Sequence, residues 1–444
     1  MGTTVSNLEA TEYRVVLVQP ESRSVLALAS AKPYRLPRVR ISSMSRPAQQ
    51  LQKAINAIWG VSAFILDARV ATHDGSSCVL AELLSSAISS DLEEVALDRI
   101  MSSELTSEER HEYEVLLESE SATSVARIGW IDEAVGWVAS ATGRRFSTRN
   151  EIEQLNAGGG FALLRLRSDD GRDYWLKATG APNTHELSIT ACLSDLYPEF
   201  LPKLVATKKE WRAWLTEGAG GPLPDLPSNA VLVRAAMRFA SLQVQTIDAV
   251  DVLLAAGAFD QRIPVLRQQL DGVIAFLIDA MERQTSMKIA PLGRRRIEEL
   301  GKILHDALYE LEGRRIPDAL VHNDLNLGNV LYDGKQYAFT DWSEAAVGNP
   351  FLSLERFRLL SSHGEGELPR VYGEVWRDYL SQTNIDCACR LAPLLSIFAY
   401  LYGRGDWLKA PGEVTPQFQS YARSLARHMD RAAQDRALLE VLCR

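Results

Sequence analysis

The chain has 444 residues, which is room for two or three domains that each bury a full core. Lys and Arg total 48 against 57 Asp and Glu, and the net charge of −9 argues against a nucleic-acid partner, which would need a basic face. Five scattered cysteines, an odd number, favour a reduced cytoplasmic setting, and nothing in these totals indicates an oligomeric state.

Residues 1–125 are predicted to form an amino-terminal α+β accessory domain. Tyr13–Val18 and Val25–Ala29 have the composition of strands joined by a polar turn. A helix with one apolar face follows and ends at Gly60. Phe64–Leu66 and Val79–Leu80 are predicted as further strands.

The order strand, strand, helix, strand is similar to that of Nudix hydrolases, with Lys53–Gly60 where that family has its helix. The catalytic box of that family needs a cluster of glutamates to bind metal. Ala54, Ala57 and Ile58 stand in the equivalent positions, so the resemblance implies a degenerate domain without diphosphate hydrolysis. A generic α+β domain is the alternative.

Residues 91–120 are rich in glutamate and are predicted as a solvated helical pair before a domain boundary. An interaction surface is the alternative for this stretch. Trp130–Ala141 is amphipathic and is predicted as a helix leading into the next domain.

Residues 126–218 are predicted to form a strand-rich small lobe. Phe161–Arg167 and Tyr174–Ala178 flank a polar turn that contains glycine, which is a hairpin signal. Gly159, in a run of three glycines before this hairpin, is a candidate for a turn whose backbone amides approach a phosphate. A flexible turn explains the same glycines equally well.

Lys177 stands at the end of the second hairpin strand, and Glu186 lies in the first turn of the predicted helix His185–Leu196. In the kinase fold a strand lysine holds the ATP phosphates and a helix glutamate holds the lysine. Glutamate is also favoured at any helix N-terminus, so its position alone is a moderate signal. Glu217 ends a further strand before a glycine-rich joint, where the adenine is expected to dock on backbone.

Residues 219–444 are predicted to form a mostly helical large lobe. Apolar residues at helical spacing predict helices from Asn229 onward, at Val265–Met281 and at Arg294–Leu311. Later helices are predicted at Pro350–Leu360, Val371–Leu380, Leu391–Tyr402 and Pro416–Leu442. Leu391–Tyr402 is too short to span a bilayer, so it predicts a buried helix and no membrane partner.

The run His322–Asn329 lies between two apolar pairs and predicts a strand, a tight polar turn and a second strand. The second strand continues past a turn to Asp341, which brings a second carboxylate close to the first loop. Phosphoryl transfer needs one carboxylate to orient the attacking hydroxyl, and an amide and another carboxylate to hold Mg²⁺ on the ATP phosphates. A hairpin rich in Asn and Asp for turn formation is the alternative.

The pattern H-x-D-x-x-x-x-N, followed by a strand ending in Asp-Trp, resembles the aminoglycoside phosphotransferase and choline kinase superfamily. The resemblance implies an α+β, bilobal protein-kinase-like fold behind a separate α+β domain. It implies that Asp324 is the catalytic base and that His322 is the buried organiser of the loop. It further implies that Asn329 and Asp341 are the Mg²⁺ ligands and that Lys177 binds ATP.

Ser353 stands where members of this superfamily usually carry Asp. A serine can still cap or hydrogen-bond the catalytic loop, but without charge. Protein-kinase marks are missing, because no Arg precedes Asp324 and Asp341 is followed by Trp342-Ser343. The acceptor is therefore expected to be a small molecule and not a protein.

The leading hypothesis is an ATP-dependent phosphotransferase that acts on a hydroxyl group of a small molecule. A non-catalytic nucleotide-binding or sensory module of the same fold is the alternative, and an interaction scaffold is a third. The carboxy-terminal region balances acidic and basic residues and so does not favour a polycationic substrate. An aromatic cage for a quaternary amine is weighed against an ordinary core for Trp376, Tyr379, Tyr400, Tyr402 and Trp407.

Overall fold

The computed structural model describes residues 10–42, 46–69, 77–84, 88–118, 125–146, 152–158, 161–286, 288–361, 366–409 and 413–442. The chain forms two compact units. The first contains the described residues up to Leu187 together with Lys203–Gly218, and the second contains Ser188–Pro202 and the chain from Ala219 onward.

The described residues of the first unit form two sheets. The strands of the first sheet are β1 (Ala10–Val18), β2 (Val25–Leu28), β3 (Arg38–Ser42), β4 (Ala63–Arg69), β5 (Ser77–Leu83) and β6 (Leu92–Val95). Their order is β4-β5-β1-β2-β6, and β3 also pairs with β1. The β1–β5 pair is parallel and the other pairs are antiparallel.

The second sheet of this unit has the order β10-β11-β9-β8-β7 and is antiparallel throughout. Its strands are β7 (Glu153–Gly158), β8 (Phe161–Arg167), β9 (Asp173–Ala178), β10 (Leu204–Lys208) and β11 (Ala213–Glu217). Helices α1 (Pro47–Trp59), α2 (Ser107–Glu118) and α3 (Trp130–Thr142) belong to the same unit, and α4 (Glu186–Leu196) begins at its end.

The predicted helical pair at residues 91–120 is wrong in its first half. Leu92–Val95 is a strand that pairs with β2, with Leu92 opposite Leu28 and Val95 opposite Val25. Both Leu92 and Val95 are buried, and this tertiary burial outweighs the helical bias of the neighbouring glutamates. The second half contains α2 as expected.

Gln154 of β7 links the two sheets of the first unit. Its side chain is fully buried, accepts a hydrogen bond from the Ile65 amide at 2.8 Å and donates one to the Ile65 carbonyl at 2.8 Å. Trp130 of α3 packs between Phe64 of β4 and Trp211, with ring centroids 5.8 and 5.5 Å away. One hydrophobic core therefore runs through both sheets, and a domain boundary at residue 125 stays a prediction.

The second unit is mostly helical and has two small three-stranded sheets in its described part. Its helices after α4 are α5 (Asn229–Gln245), α6 (Val250–Ala255), α7 (Ile263–Glu282), α8 (Arg294–Gly313), α9 (Phe351–Leu360), α10 (Glu367–Val375), α11 (Gln382–Gly403), α12 (Pro416–Ala432) and α13 (Arg436–Leu442). One sheet has the order β12-β15-β16 and the other β13-β17-β14. Their strands are β12 (Gly221–Pro222), β13 (Phe259–Gln261), β14 (Ala319–His322), β15 (Val330–Tyr332), β16 (Tyr337–Phe339) and β17 (Ala345–Gly348).

Helix α11 confirms the buried helix predicted around Leu391–Tyr402. Among the described residues it alone is long and apolar enough to cross a membrane by length and composition, and 56% of its apolar window is buried. Leu391, Leu395 and Phe398 lie in the core of the second unit with no exposed surface. The predicted α+β class, with a strand-rich part followed by a helical part, is confirmed.

Candidate functional site

His322 ends β14 inside the core of the second unit and has no exposed surface. Its Nε2 lies 3.0 Å from the Thr340 carbonyl oxygen, which can only accept, so Nε2 carries the proton. Burial lowers the pKa of this imidazole, which keeps the ring neutral. The ring therefore ties the start of the loop to the residue before Asp341.

Asp324 and Asn329 are hydrogen-bonded to each other across the loop. The Asn329 amide nitrogen donates to the Asp324 backbone oxygen at 2.7 Å and to its carboxylate at 3.2 Å. Asn326 accepts from the Gly328 amide at 2.8 Å and closes the turn between them. Because the Asn329 nitrogen donates to Asp324, the amide oxygen of Asn329 takes no part in this contact.

Asp341 follows β16 in a left-handed backbone conformation, with φ 68° and ψ 66°. An ordinary side chain in this region costs on the order of 1 kcal/mol, and such conformations cluster at functional sites. The Thr340 amide donates to the Asn329 carbonyl at 3.1 Å, and the Ser343 hydroxyl donates to the Asp341 carboxylate at 3.1 Å. Asp341 is thereby anchored to the segment that carries Asn329.

These three side chains form a donor set of hard oxygens. One amide oxygen and one carboxylate suit Mg²⁺, which takes few protein ligands and completes its octahedron with water and phosphate oxygens. Asp324 is half-buried, and its carboxylate accepts a hydrogen bond from Asn329. The residues present therefore fit an Mg²⁺–nucleotide and an acceptor alcohol.

Ser353 contacts the loop as its position suggested. Its hydroxyl accepts a hydrogen bond from the His322 backbone amide at 3.1 Å, and its side chain has no exposed surface. The serine therefore satisfies the backbone amide at the start of the loop from His322 to Asn329 without adding a charge.

Ser353→Ala is expected to lower the free energy of unfolding by about 1–3 kcal/mol, because a buried amide loses its acceptor. Urea denaturation measures the change. Ser241→Ala, on a helix surface, is the control and should change stability by less than about 0.5 kcal/mol. Equal effects of the two substitutions would show that the His322 amide finds another partner.

Lys177 and Glu186 meet within the first unit as predicted from their order in the chain. The Lys177 ammonium lies 2.5 Å from a Glu186 carboxylate oxygen, and the Glu186 side chain has no exposed surface. The ammonium also lies 5.6 Å from the ring centroids of Phe161 and Trp214. This buried ion pair gives Lys177 a fixed position at the end of β9.

The other two predicted nucleotide-binding residues have different surroundings. Glu217 ends β11 and forms an exposed ion pair with Lys203 at 2.8 Å, so its role at a nucleotide stays a prediction. Gly159 lies outside the described residues, although its neighbours Gly158 and Phe161 pair at the end of the β7–β8 hairpin.

Gly220 and Gly348 show where glycine is required near the loop. A Cβ on Gly220, whose φ is +91°, would lie 2.3 Å from the Tyr332 carbonyl oxygen, because β12 runs directly against β15. A Cβ on Gly348 would lie 2.6 Å from the Gln261 carbonyl oxygen. Both glycines allow neighbouring backbone to approach the strands that carry the site.

Two polar residues near the loop were not predicted from the sequence. Gln261 is fully buried, accepts from the Asn323 side-chain amide at 3.2 Å and donates to the Ala399 carbonyl at 2.9 Å. Glu344 interacts electrostatically with Asp324, and burial raises its pKa. No local pattern marks Gln261, because its partners Asn323 and Ala399 are 62 and 138 positions away in the chain.

Residues 198–389 match the model of a family described as the phosphotransferase enzyme family. The match confirms, for this part of the chain, the resemblance drawn from the loop residues. A comparison with curated proteins found no match.

Several solved structures align with about two thirds of this chain. Macrolide 2'-phosphotransferase MphH from Brachybacterium faecium is 16% identical, over 66% of this chain and 97% of its own, with a TM-score of 0.48. A choline/ethanolamine kinase family protein from Mesorhizobium loti is 14% identical, over 70% and 98%, with a TM-score of 0.47. Choline kinase from Cryptosporidium parvum is 14% identical, over 68% and 95%, with a TM-score of 0.48.

Proposed function

We propose that this chain, whose residues 198–389 match the model of the phosphotransferase enzyme family, transfers phosphate from ATP to a hydroxyl group of a small molecule. The observation that carries the proposal is the pair of hydrogen bonds made by Asn329. Its side-chain amide donates to the Asp324 carboxylate, and its backbone carbonyl accepts from the amide of Thr340, which precedes Asp341. One residue thus links the proposed base to the segment that carries the second carboxylate, which supports the proposal.

Asp324 orients the acceptor hydroxyl and takes its proton as the oxygen attacks the γ-phosphorus. The new bond joins the acceptor oxygen to phosphorus, the bond to the β–γ bridging oxygen breaks, and ADP leaves. Asn329 and Asp341 would hold Mg²⁺, which would neutralise charge on the phosphates. Lys177, which is positioned by Glu186, is proposed to bind phosphate oxygens of ATP.

A thermal-shift titration combined with ADP detection tests the proposal. Mg²⁺–ATP at 100 times its dissociation constant should stabilise the protein by about 2.7 kcal/mol. ADP should form when alcohols, amino sugars and choline analogues are offered as acceptors. Stabilisation without turnover of any acceptor would favour the non-catalytic nucleotide-binding module, and no stabilisation would contradict both functions.

Asp341→Asn is expected to weaken Mg²⁺–ATP binding by roughly tenfold or more, because the metal loses a charged oxygen ligand. Binding of ATP without metal should change much less. Calorimetric titration with and without Mg²⁺ separates the two, and Asp306→Asn, whose side chain is exposed, is the control. Equal losses in both titrations would assign Asp341 a structural role instead.

A further inference from the structure

A pocket of about 500 Å³ lies in the second unit between the carboxy-terminal end of α11 and the first half of α12. We propose that this pocket binds the phosphate acceptor and selects a hydroxylated ring compound that carries a carboxylate. The inference rests on the proposed function and adds to it the chemical class of the substrate.

The lining of the pocket combines aromatic rings with one cationic side chain. Among the described residues that line it, Arg404 is charged and none is Asp or Glu. The Arg404 guanidinium carbon lies 4.3 Å from the Phe418 ring centroid and 5.6 Å from that of Tyr421. A planar guanidinium matches a carboxylate in geometry and charge, and the rings offer stacking faces to a cyclic ligand.

Tyr400, which also lines the pocket, has guanidinium groups near its ring as well. Its ring centroid lies 4.5 Å from the Arg356 guanidinium carbon and 5.9 Å from that of Arg404. Burial raises the pKa of its hydroxyl to about 12, so the phenol stays neutral. Ser420 and Ser424 add hydroxyl groups that can hydrogen-bond to an alcohol.

Hydrogen bonds connect this pocket to the catalytic loop. Gln261 bridges Asn323, next to Asp324, and the carbonyl of Ala399, next to Tyr400. A Cβ on Gly403, next to Arg404, would lie 3.9 Å from the Asn323 amide nitrogen. The end of α11 that forms the pocket is therefore held against the loop that carries the proposed base.

Glu344 is a carboxylate that interacts electrostatically with Asp324 of the loop and with Arg404 of the pocket. Arg356 and Arg404 both lower the pKa of Glu344, against the burial and the Asp324 charge that raise it. Arg356 and Arg404 place two guanidinium groups near the Tyr400 ring, and a guanidinium group attracts an anionic ligand and repels a cationic one.

The aromatic cage weighed in the sequence is not present as a cage. Trp376 is fully buried in the core, and Tyr402 stacks on Trp407 with centroids 5.7 Å apart. Of the five aromatic residues, Tyr400 lines the pocket, and guanidinium groups already lie over its ring. A quaternary amine would therefore meet like charge there.

Three probes that differ in one group test the selection: 4-hydroxycyclohexanecarboxylate, cyclohexane-1,4-diol and 4-aminocyclohexanol. Ligand-observed NMR measures their dissociation constants, and phosphorus NMR detects phosphate esters formed from Mg²⁺–ATP. The carboxylate should bind at least about tenfold more tightly than the amine, a difference of about 1.4 kcal/mol, and should be phosphorylated.

Paired variants locate the selection in the pocket. Arg404→Gln should remove the preference, whereas Arg295→Gln, whose side chain is 92% exposed on α8, should retain it. Ser420→Asp, at an exposed position of the lining, should reverse the preference toward the amine, and its isostere Ser420→Asn should not. If Arg404→Gln fails to fold, the comparison of Ser420→Asp with Ser420→Asn still tests whether the pocket sets the preference.

Equal or tighter binding of the amine, no binding of the carboxylate, or a preference unchanged by Ser420→Asp would overturn the inference. So would selective binding of the carboxylate without its phosphorylation by a protein that phosphorylates other alcohols. Failure of Mg²⁺–ATP to bind or to phosphorylate any acceptor contradicts the proposed function instead, and the probe affinities are measured independently of it.

Discussion

Asp324→Ala is expected to lower turnover by ~10² or more while leaving nucleotide affinity nearly intact, as for a positioned acid–base group. Asp324 is half-buried and is fixed by the Asn329 amide at 3.2 Å, so its geometry is set before an acceptor arrives. Asp324→Asn keeps an oxygen that can accept from Asn329 but cannot take the proton. It should therefore lose turnover almost as completely as the alanine variant.

Steady-state ADP release with a confirmed acceptor measures this effect, and titration with Mg²⁺–ATP measures affinity. Asp306→Asn on the surface of α8 is the matched control and should leave both unchanged. Turnover preserved in either Asp324 variant would contradict the assignment of the base. A loss confined to the alanine variant would give Asp324 a positioning role.

Lys177→Met is expected to reduce ATP affinity and also the free energy of unfolding, the latter by about 3–5 kcal/mol. The cause is Glu186, whose carboxylate has no exposed surface and would lose the charge that compensates it. Glu186→Gln should be milder, because Lys177 keeps its charge and a small exposed fraction. The double variant should be more stable than the sum of the single losses predicts, since it buries no uncompensated carboxylate.

A double-mutant cycle on unfolding and on ATP affinity measures the coupling. The exposed pair Lys203–Glu217 is the control cycle for unfolding, where the coupling should be below about 1 kcal/mol. Zero coupling between Lys177 and Glu186 in both measurements would mean that the pair does not act together, and the kinase-like interpretation of the small lobe would fail.

The backbone geometry of the loop from His322 to Asn329 could be predicted because its signals are local. His322, Asp324 and Asn329 fall within eight residues, and apolar strands on both sides fix their backbone. The Lys177–Glu186 pair was also accessible, because a strand and the next helix lie nine residues apart. The order of the elements, together with the apolar periods of 2 residues in strands and 3.6 in helices, is enough to predict both features.

The residues that support the loop through long-range contacts could not be predicted in this way. Gln261 meets Asn323 across 62 positions and Ala399 across 138. The strand at Leu92–Val95 was missed because its pairing with β2 lies outside any local window. In each case the deciding energy is a buried tertiary contact, and a short polar or acidic segment gives no sign of it.

The hydrogen bonds of the Gln154 side chain limit how the two parts of the first unit can evolve. It replaces a strand partner for Ile65, so the edge of one sheet is completed by an amide from the other. If the first 125 residues were lost, Gln154 and the apolar surface around Trp130 would be exposed to water. Recombination could exchange these residues only for a segment that presents the same backbone edge, so the two parts are constrained to evolve together.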